Sequence, residues 1–309
     1  MILDSFGIII NMADTKEMGV VKDLVTLRKY ETVLGKQVNR IVIGTARVAA
    51  EKKDGIIVPK RDRDPWEIDL LEYSLNKGLN FLDTAQAYGD AEIIIGQAIK
   101  PHDREKIVIA TKVGLKPAKP DEIRRAINER VERLGTVPDI IFIHDRWEGL
   151  MGKEMEGCIA ELDHAVEAGL AKGIGISNFR PDELKRAIET AKGKVVAYQG
   201  KLNFLNPRPD VSQLLQICKE NNIIFMASSA LDRGAVPNIS NNKIIIEMAE
   251  KYGMTVAQLA IFSLLTEERV LPIVQSHQKD HIDQNLQVFN YSVDKSDSEL
   301  LRRLLPSTN

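Results

Sequence analysis

The stretch Gly78-Leu79-Asn80-Phe81-Leu82-Asp83-Thr84-Ala85-Gln86-Ala87-Tyr88-Gly89, followed by Asp90-Ala91-Glu92 and a helix-like run to Lys100, decides how the chain is read. Phe81 and Leu82 end a short buried strand, and Asp83 sits where that strand spills into a loop. Functional groups collect at this edge of a parallel α/β barrel. A carboxylate and a phenol so close on one loop can share a site. Equally, Asp83 or Thr84 can simply cap the next helix while Tyr88 packs on it. What the remaining strands end in decides between the two.

Upstream, Leu27 to Val33 and Val38-Asn39-Arg40 flank the turn-forming Leu34-Gly35-Lys36-Gln37, a hairpin signal, and such a hairpin can plug the bottom of a barrel. Ile41-Val42-Ile43-Gly44 is a short β-branched strand, and a polar loop is expected from Ala46 to Arg63. Asp64-Pro65-Trp66-Glu67 carries an N-cap acid, proline at the first helical position and an acid at the third, which announces a helix to Asn76. Further strands are expected at Ile107–Thr111, Ile140–His144, Gly173–Ile176, Val195–Gln199, Ile223–Ala227 and Val270–Val274, with amphipathic helices between them. Eight strands alternating with helices imply a parallel sheet closed into a (β/α)8 TIM barrel with an N-terminal β-hairpin plug. An open doubly wound sheet fits less well, because the first strand-to-helix turn lacks the G-x-G-x-x-G fingerprint.

With 309 residues, 44% hydrophobic and 28% charged, the chain can bury one large core. The expected organisation is a single barrel domain over 27–309. Residues 1–26 fit none of the later pattern and form an extension that need not be ordered, with Met12 or Met18 as alternative starts. A formal net charge of −2, with basic and acidic residues interleaved, gives no footprint for nucleic acid or an anionic membrane. No apolar run approaches the roughly 20 residues a membrane span needs. Cys158 and Cys218 stand far apart in predicted helices, which suggests core thiols in a reducing compartment rather than a disulfide or metal site. The expectation is a cytoplasmic enzyme of small molecules with its oligomeric state open, monomer included.

Just past the strands stand Thr45, Asp83 with Tyr88, Lys112, His144, Ser177-Asn178, Gln199, Ser228-Ser229 and Gln275-Ser276. One such residue is well explained as a solvated loop; a polar residue at almost every strand end on one edge is not. Asp83, Tyr88, Lys112 and His144 come from three neighbouring strands and can converge. A phenol is a poor acid at neutral pH, but a close ammonium stabilises its anion. Lys112 can supply that charge, Asp83 can hold the lysine, and His144 can orient a substrate oxygen. Such a group protonates a carbonyl oxygen as charge develops on it, while an organic cofactor delivers the electrons, no metal constellation being visible.

These residues resemble the aldo-keto reductase family. Leu82-Asp83-Thr84-Ala85 with Tyr88-Gly89 and Glu92, Ala110-Thr111-Lys112, Ile143-His144 and Gly173-Ile174-Gly175-Ile176-Ser177-Asn178-Phe179 match its motifs in order, and the likeness covers nearly everything from Leu27 to Leu305. The resemblance implies reduction of a small aldehyde, ketone or sugar carbonyl, or the reverse, with NADP as cofactor and NAD also open. It implies catalytic Asp83, Tyr88, Lys112 and His144, with Thr45, Asp83 and Ser228 also contacting the cofactor. Ser177, Asn178 and Gln199 would hold the nicotinamide carboxamide, and the loop from Ser229 to Gly234, with Leu231 and Arg233, would lie along the pyrophosphate. Gln275, Ser276, His281, Gln284 and Asn285 would meet the adenosine end.

Three departures stand out. Ser228-Ser229-Ala230-Leu231 replaces a motif whose aromatic residue usually stacks on the nicotinamide. Gln275 and His281 stand where basic residues usually face an adenosine 2′-phosphate, so both cofactors are expected to serve, NADP modestly favoured and more so as pH falls. The C-terminus is too short for the long loop that closes many members' pockets. Substrate contacts then fall to the loops after Thr45, His144 and Leu231, with Trp147 a candidate aromatic wall and Trp66 structural. Two other functions compete: a Schiff-base aldolase using Lys112, and a non-enzymatic nucleotide-sensing subunit like the potassium-channel β subunits that share this likeness.

Overall fold

The computed structural model describes residues 2–3, 9–10, 23–48, 50–53, 56–59, 65–114, 120–144, 153–192, 195–203, 210–236 and 242–304. Eight parallel strands close into a barrel: β1 (Val42–Gly44), β2 (Phe81–Asp83), β3 (Val108–Val113), β4 (Ile140–Ile143), β5 (Gly173–Ser177), β6 (Val195–Lys201), β7 (Ile224–Ser228) and β8 (Val270–Val274). Each neighbours the next in sequence, and β8 pairs with β1 to complete the ring. The apolar runs are uninterrupted because both strand faces are covered, one by the barrel interior and the other by helices. Phe81, Val108, Phe142, Ile224, Met226 and Leu271 fill the interior, all at most 1% exposed. Gly175 belongs to that packing, since a Cβ there would sit 2.3 Å from the Phe142 ring.

Most differences from expectation lie at the strand ends. β3, β5 and β7 run on to Val113, Ser177 and Ser228, so Lys112 and Ser177 are strand residues rather than loop residues; β6 continues past Gln199 to Lys201, while β4 stops at Ile143 and leaves His144 to the loop. A ladder continues wherever its neighbour offers backbone groups, whatever the side chain; here Ser177 pairs with Gln199 and Lys201 with Ser228.

Between the strands run α1 (Pro65–Asn76), α2 (Ala91–Ala98), α3 (Pro120–Leu134), α4 (Lys153–Glu167), α5 (Pro181–Thr190), α6 (Val211–Glu220) and the pair α7 (Lys243–Lys251) and α8 (Val256–Leu265). After β8 come α9 (Lys279–Leu286) and α10 (Lys295–Leu304). Cys158 and Cys218 are buried on α4 and α6, where burial pushes the Cys218 thiol up to about 12. Neither is poised as a nucleophile. No helix among the described residues is long and apolar enough to cross a membrane.

The N-terminal hairpin pairs Tyr30–Val33 with Lys36–Asn39, starting later than Leu27, and turns through Leu34 (φ 49) and Gly35 (φ 78), as a two-residue hairpin loop requires. Val33 and Val38 join the interior cluster, so the hairpin plugs the barrel. Asn80, in the organising stretch, stitches it on by accepting from Asn39 N at 3.0 Å and donating to Gln37 O at 2.9 Å. Within the loop expected from Ala46 to Arg63, Ala50–Lys53 pairs antiparallel with Ile56–Pro59. The β-branched Ile56-Ile57-Val58 favours that strand against its charged surroundings. Inside the N-terminal extension, Ile2–Leu3 pairs with Ile9–Ile10, and Leu24–Thr26 pairs with Ser292–Asp294, burying Val25 and Val293. Met12 and Met18 lie outside the described residues.

Candidate active site

At the C-terminal mouth of the barrel, Lys112 is fully buried, and its ammonium donates to Asp83 Oδ1 and to the Thr84 carbonyl, both at 2.7 Å. Gln199 Nε2 donates to the same Asp83 oxygen at 2.9 Å. The ammonium also lies 5.1 Å from the centre of the Tyr88 ring. Burial works against its charge, but attraction and hydrogen bonding to Asp83 and Tyr88 outweigh it and hold Lys112 above the usual lysine range. His144, placed by its backbone N–H on Val113 O at 3.0 Å, meets the Tyr88 ring edge-on, with ring centres 5.7 Å apart at 86°. The four residues expected to converge therefore do.

The loop after β2 is set by backbone bonds to β3: Thr84 N to Ala110 O and Gln86 N to Lys112 O, both 2.9 Å. Gln86 Oε1 returns a bond from Gly114 N at 3.1 Å. Thr45 backs the acid from the other side, giving both its N–H and its hydroxyl to the Asp83 carbonyl at 3.0 Å. Asp83 thus leads a fixed peptide rather than capping α2.

Ser177, Asn178 and Gln199 stand together across the mouth. Asn178 adopts φ 63, its N–H donates to Gln199 O at 2.9 Å, and its side chain donates to Ser177 Oγ at 3.1 Å. Ser228 and Ser229 are half-buried beyond them, with Ser229 at φ 55 and its carbonyl accepting from Asn203 Nδ2 at 2.8 Å. Leu231 leads into a short helical turn, Asp232–Gly234, and packs on the core; the Arg233 side chain lies outside the described residues.

At the mouth's far edge, Gln275 Nε2 is buried without a hydrogen-bond partner among the described residues. Ser276 Oγ is engaged with Gln278, donating to its carbonyl and accepting from its N–H, both at 2.9 Å. On α9, His281 and Gln284 are exposed while Asn285 is buried. Lys279, another cation here, pairs with Asp69 of α1 at 2.7 Å. Trp66, read from sequence as structural, is 40% exposed and stacks on His277 with ring centres 6.0 Å apart. Trp147 lies outside the described residues.

Sequence reasoning passed over three contributors: the Thr84 carbonyl, Gln86, and Arg133, which reaches the Tyr88 loop from α3. The first two are a backbone atom and a residue type with no catalytic signal of its own. Arg133 has a sequence sign in its neighbour Arg130, which occupies a buried position in register with Ile123, Ile127 and Leu134 and so demands a buried acid. No group of three or more metal-ligating side chains that could hold an ion is present among the described residues.

Chains of known activity resemble this one. The model of the aldo/keto reductase family matches residues 40–306. An NAD(P)H-dependent 6′-deoxychalcone synthase of Glycine max is 26% identical over 259 residues, covering 76% of this chain and 80% of its own. An NADH-specific methylglyoxal reductase of Escherichia coli (strain K12) is 24% identical over 287 residues, 77% of this chain and 86% of its own. A thermostable aldo-keto reductase solved with the inhibitor epalrestat superposes with a TM-score of 0.79 at 26% identity, over 89% of this chain and 99% of its own. With a family match running from just after the plug through the last helix, this chain belongs to the aldo/keto reductase family.

Proposed function

We propose that this chain is an NAD(P)H-dependent oxidoreductase that reduces a small aldehyde, ketone or sugar carbonyl, with Tyr88 as the proton donor. The observation that carries the reading is the buried Lys112 ammonium held between Asp83 at 2.7 Å and the Tyr88 ring at 5.1 Å. A cation so placed stabilises negative charge at the phenol and so favours transfer of its proton. His144, edge-on to the same ring, is in position to hold the substrate oxygen while charge develops there.

The mouth also fits a nicotinamide dinucleotide. Ser177, Asn178 and Gln199 combine hydroxyl and amide groups that complement a carboxamide, and the orphaned Gln275 Nε2 is a buried donor toward the adenosine side. Leu231 and Arg233, with Ser229, would line the pyrophosphate, and Ser276, His281, Gln284 and Asn285 the adenosine. When bound, the cofactor supplies the hydride; the chain orients both reactants and delivers the proton. The direct test is NADPH or NADH oxidation against a panel of aldehydes, ketones and sugars, and absence of turnover with every one would favour a nucleotide-sensing role. A Schiff-base aldolase is disfavoured because Lys112 is charged and ion-paired rather than a neutral nucleophile. Borohydride trapping of a carbonyl substrate on Lys112 would reverse that judgement.

Two predictions arise here. Without an aromatic ring at Ser228, Ser228→Tyr is expected to tighten cofactor binding by up to about tenfold, since an aromatic pair adds about 0.5–1.5 kcal/mol beyond its buried area. Equal or weaker binding in a fluorescence titration would mean that the space is filled otherwise. For cofactor choice, Lys279 is already paired with Asp69, so both cofactors should serve, with NADPH modestly favoured. His281→Arg places a fixed cation there and should raise the ratio of kcat/KM for NADPH over NADH by roughly tenfold, the worth of one hydrogen bond to a charged group. An unchanged ratio would remove His281 from the phosphate site.

A further inference from the structure

Tyr88 is not carried by a strand. It stands on the loop between β2 and α2, next to Gly89, which takes φ 59, and Asp90, whose side chain makes no capping bond to α2. From α3, Arg133 reaches that loop. Its Nη2 donates to the Gly89 carbonyl at 2.5 Å and to Asp90 Oδ1 at 2.9 Å, while its Nε donates to Glu92 Oε2 at 3.2 Å.

Glu92 is fully buried in the first turn of α2, and its other oxygen accepts from Thr111 Oγ1 at 2.7 Å. Arg130 Nε stands 2.9 Å from Glu92 Oε2 as an ion pair, though not aligned as a hydrogen bond. Successive strand residues face opposite ways, so Lys112 enters the barrel while Thr111 turns out toward α2. One carboxylate therefore ties the strand of the ammonium to the helix after the phenol. One guanidinium ties that helix to the peptide next to the phenol.

Stability alone explains this cluster poorly. Burial pushes the Glu92 carboxyl up against the pull of Arg130, and apolar side chains in place of buried charges commonly leave a fold as stable or more so. The endpoints of the bonds are more informative, because they lie beside Lys112 or Tyr88. We propose that Arg133, seated by Glu92 and Arg130, is a positioning residue for the proton donor: it fixes the Gly89 peptide and thereby holds the Tyr88 hydroxyl in reach of Lys112 and His144. This rests on the reading of Tyr88 as the general acid.

The experiment is a double-mutant cycle of Tyr88→Phe and Arg133→Met, with Arg133→Lys as the conservative variant. Arg133 is 31% exposed, so its side chain can be removed without opening a closed cavity. Arg133→Met is expected to lower kcat by about 10–10²-fold, the scale of a reacting group displaced by about an ångström. The cofactor Kd by fluorescence titration and the fraction of sites that bind cofactor should stay unchanged, and the alkaline limb of the kcat/KM profile should move as Tyr88 drifts from Lys112. Arg133→Lys should restore part of the rate. In the Tyr88→Phe background, Arg133→Met should cost nothing further.

An equal loss in both backgrounds overturns the proposal, and so does a rate loss matched by lost cofactor-binding sites with an unmoved pH profile, which is the mark of a purely structural role. If Arg133→Met does not accumulate folded, Arg133→Gln, whose amide reaches only as far as the Nε that faces Glu92 and so gives up the Gly89 carbonyl, serves in the same cycle. Full turnover by Tyr88→Phe alone would refute the assignment of Tyr88 and the proposal with it, and that result is read before Arg133 is touched.

Discussion

Replacing Tyr88 with Phe is expected to slow the chemical step by 10²-fold or more, the usual worth of a positioned general acid. The ring is half-buried, packs against the outer core and meets His144 edge-on, all of which Phe preserves. What disappears is the hydroxyl and its bond to Lys112. Cofactor affinity should therefore survive, and single-turnover reduction with saturating NADPH should carry the whole loss. Near-normal turnover would break the assignment of all four residues, since Lys112 and Asp83 would be left tuning a group that transfers nothing. His144, whose ring meets the phenol edge-on, would then have to be weighed as the acid.

The meeting of Asp83, Lys112 and His144 was largely legible in the sequence because these side chains lie at or near strand ends, and eight short apolar runs mark those ends well. Asp83, Lys112 and His144 each follow or close such a run, and closure of the sheet into a ring brings β2, β3 and β4 side by side without any long-range guess. The plug was legible for a similar reason: Leu34-Gly35 is a turn signal between two alternating segments.

What escaped lies in the space between elements. The Ala50–Lys53 and Ile56–Pro59 hairpin is hidden by its charges. The bond between Leu24–Thr26 and Ser292–Asp294 joins the two ends of the chain, which no local pattern reports. Arg133 reaches Gly89 from 44 positions away, through side-chain length rather than periodicity. Lys279 on α9 is held by Asp69 of α1 at 2.7 Å, a pairing between two helices far apart in the chain that no local pattern reports. The face that carries α9 was thus harder to read than the strand ends, because its chemistry depends on which neighbour each exposed charge has already chosen.

Lys112→Met is expected to fail twice, in rate and in stability, and the two losses can be separated. Removing the ammonium leaves the phenol without its adjacent cation, so reduction should slow by about 10²-fold or more. It also leaves Asp83, 4% exposed, with the neutral Gln199 amide at 2.9 Å as its remaining donor among the bonds described here. Stranding one charge of a buried pair costs about 3–5 kcal/mol, which should appear as a lower urea midpoint with an unchanged slope. Because Lys112 titrates higher in the folded chain than in the unfolded one, its contribution is complete below the unfolded lysine pKa of about 10.4 and fades only as pH climbs through the folded value. At neutral pH the full loss should therefore be seen. Adding Asp83→Asn to Lys112→Met removes the stranded charge as well, so the double variant should regain most of the stability while remaining as slow as the single one. Recovery of rate along with stability would mean that Lys112 only holds the fold and that the phenol needs no cation beside it. Failure to recover stability would mean instead that the Lys112 bond to the Thr84 carbonyl at 2.7 Å, and not the ion pair, secures the loop that carries Tyr88.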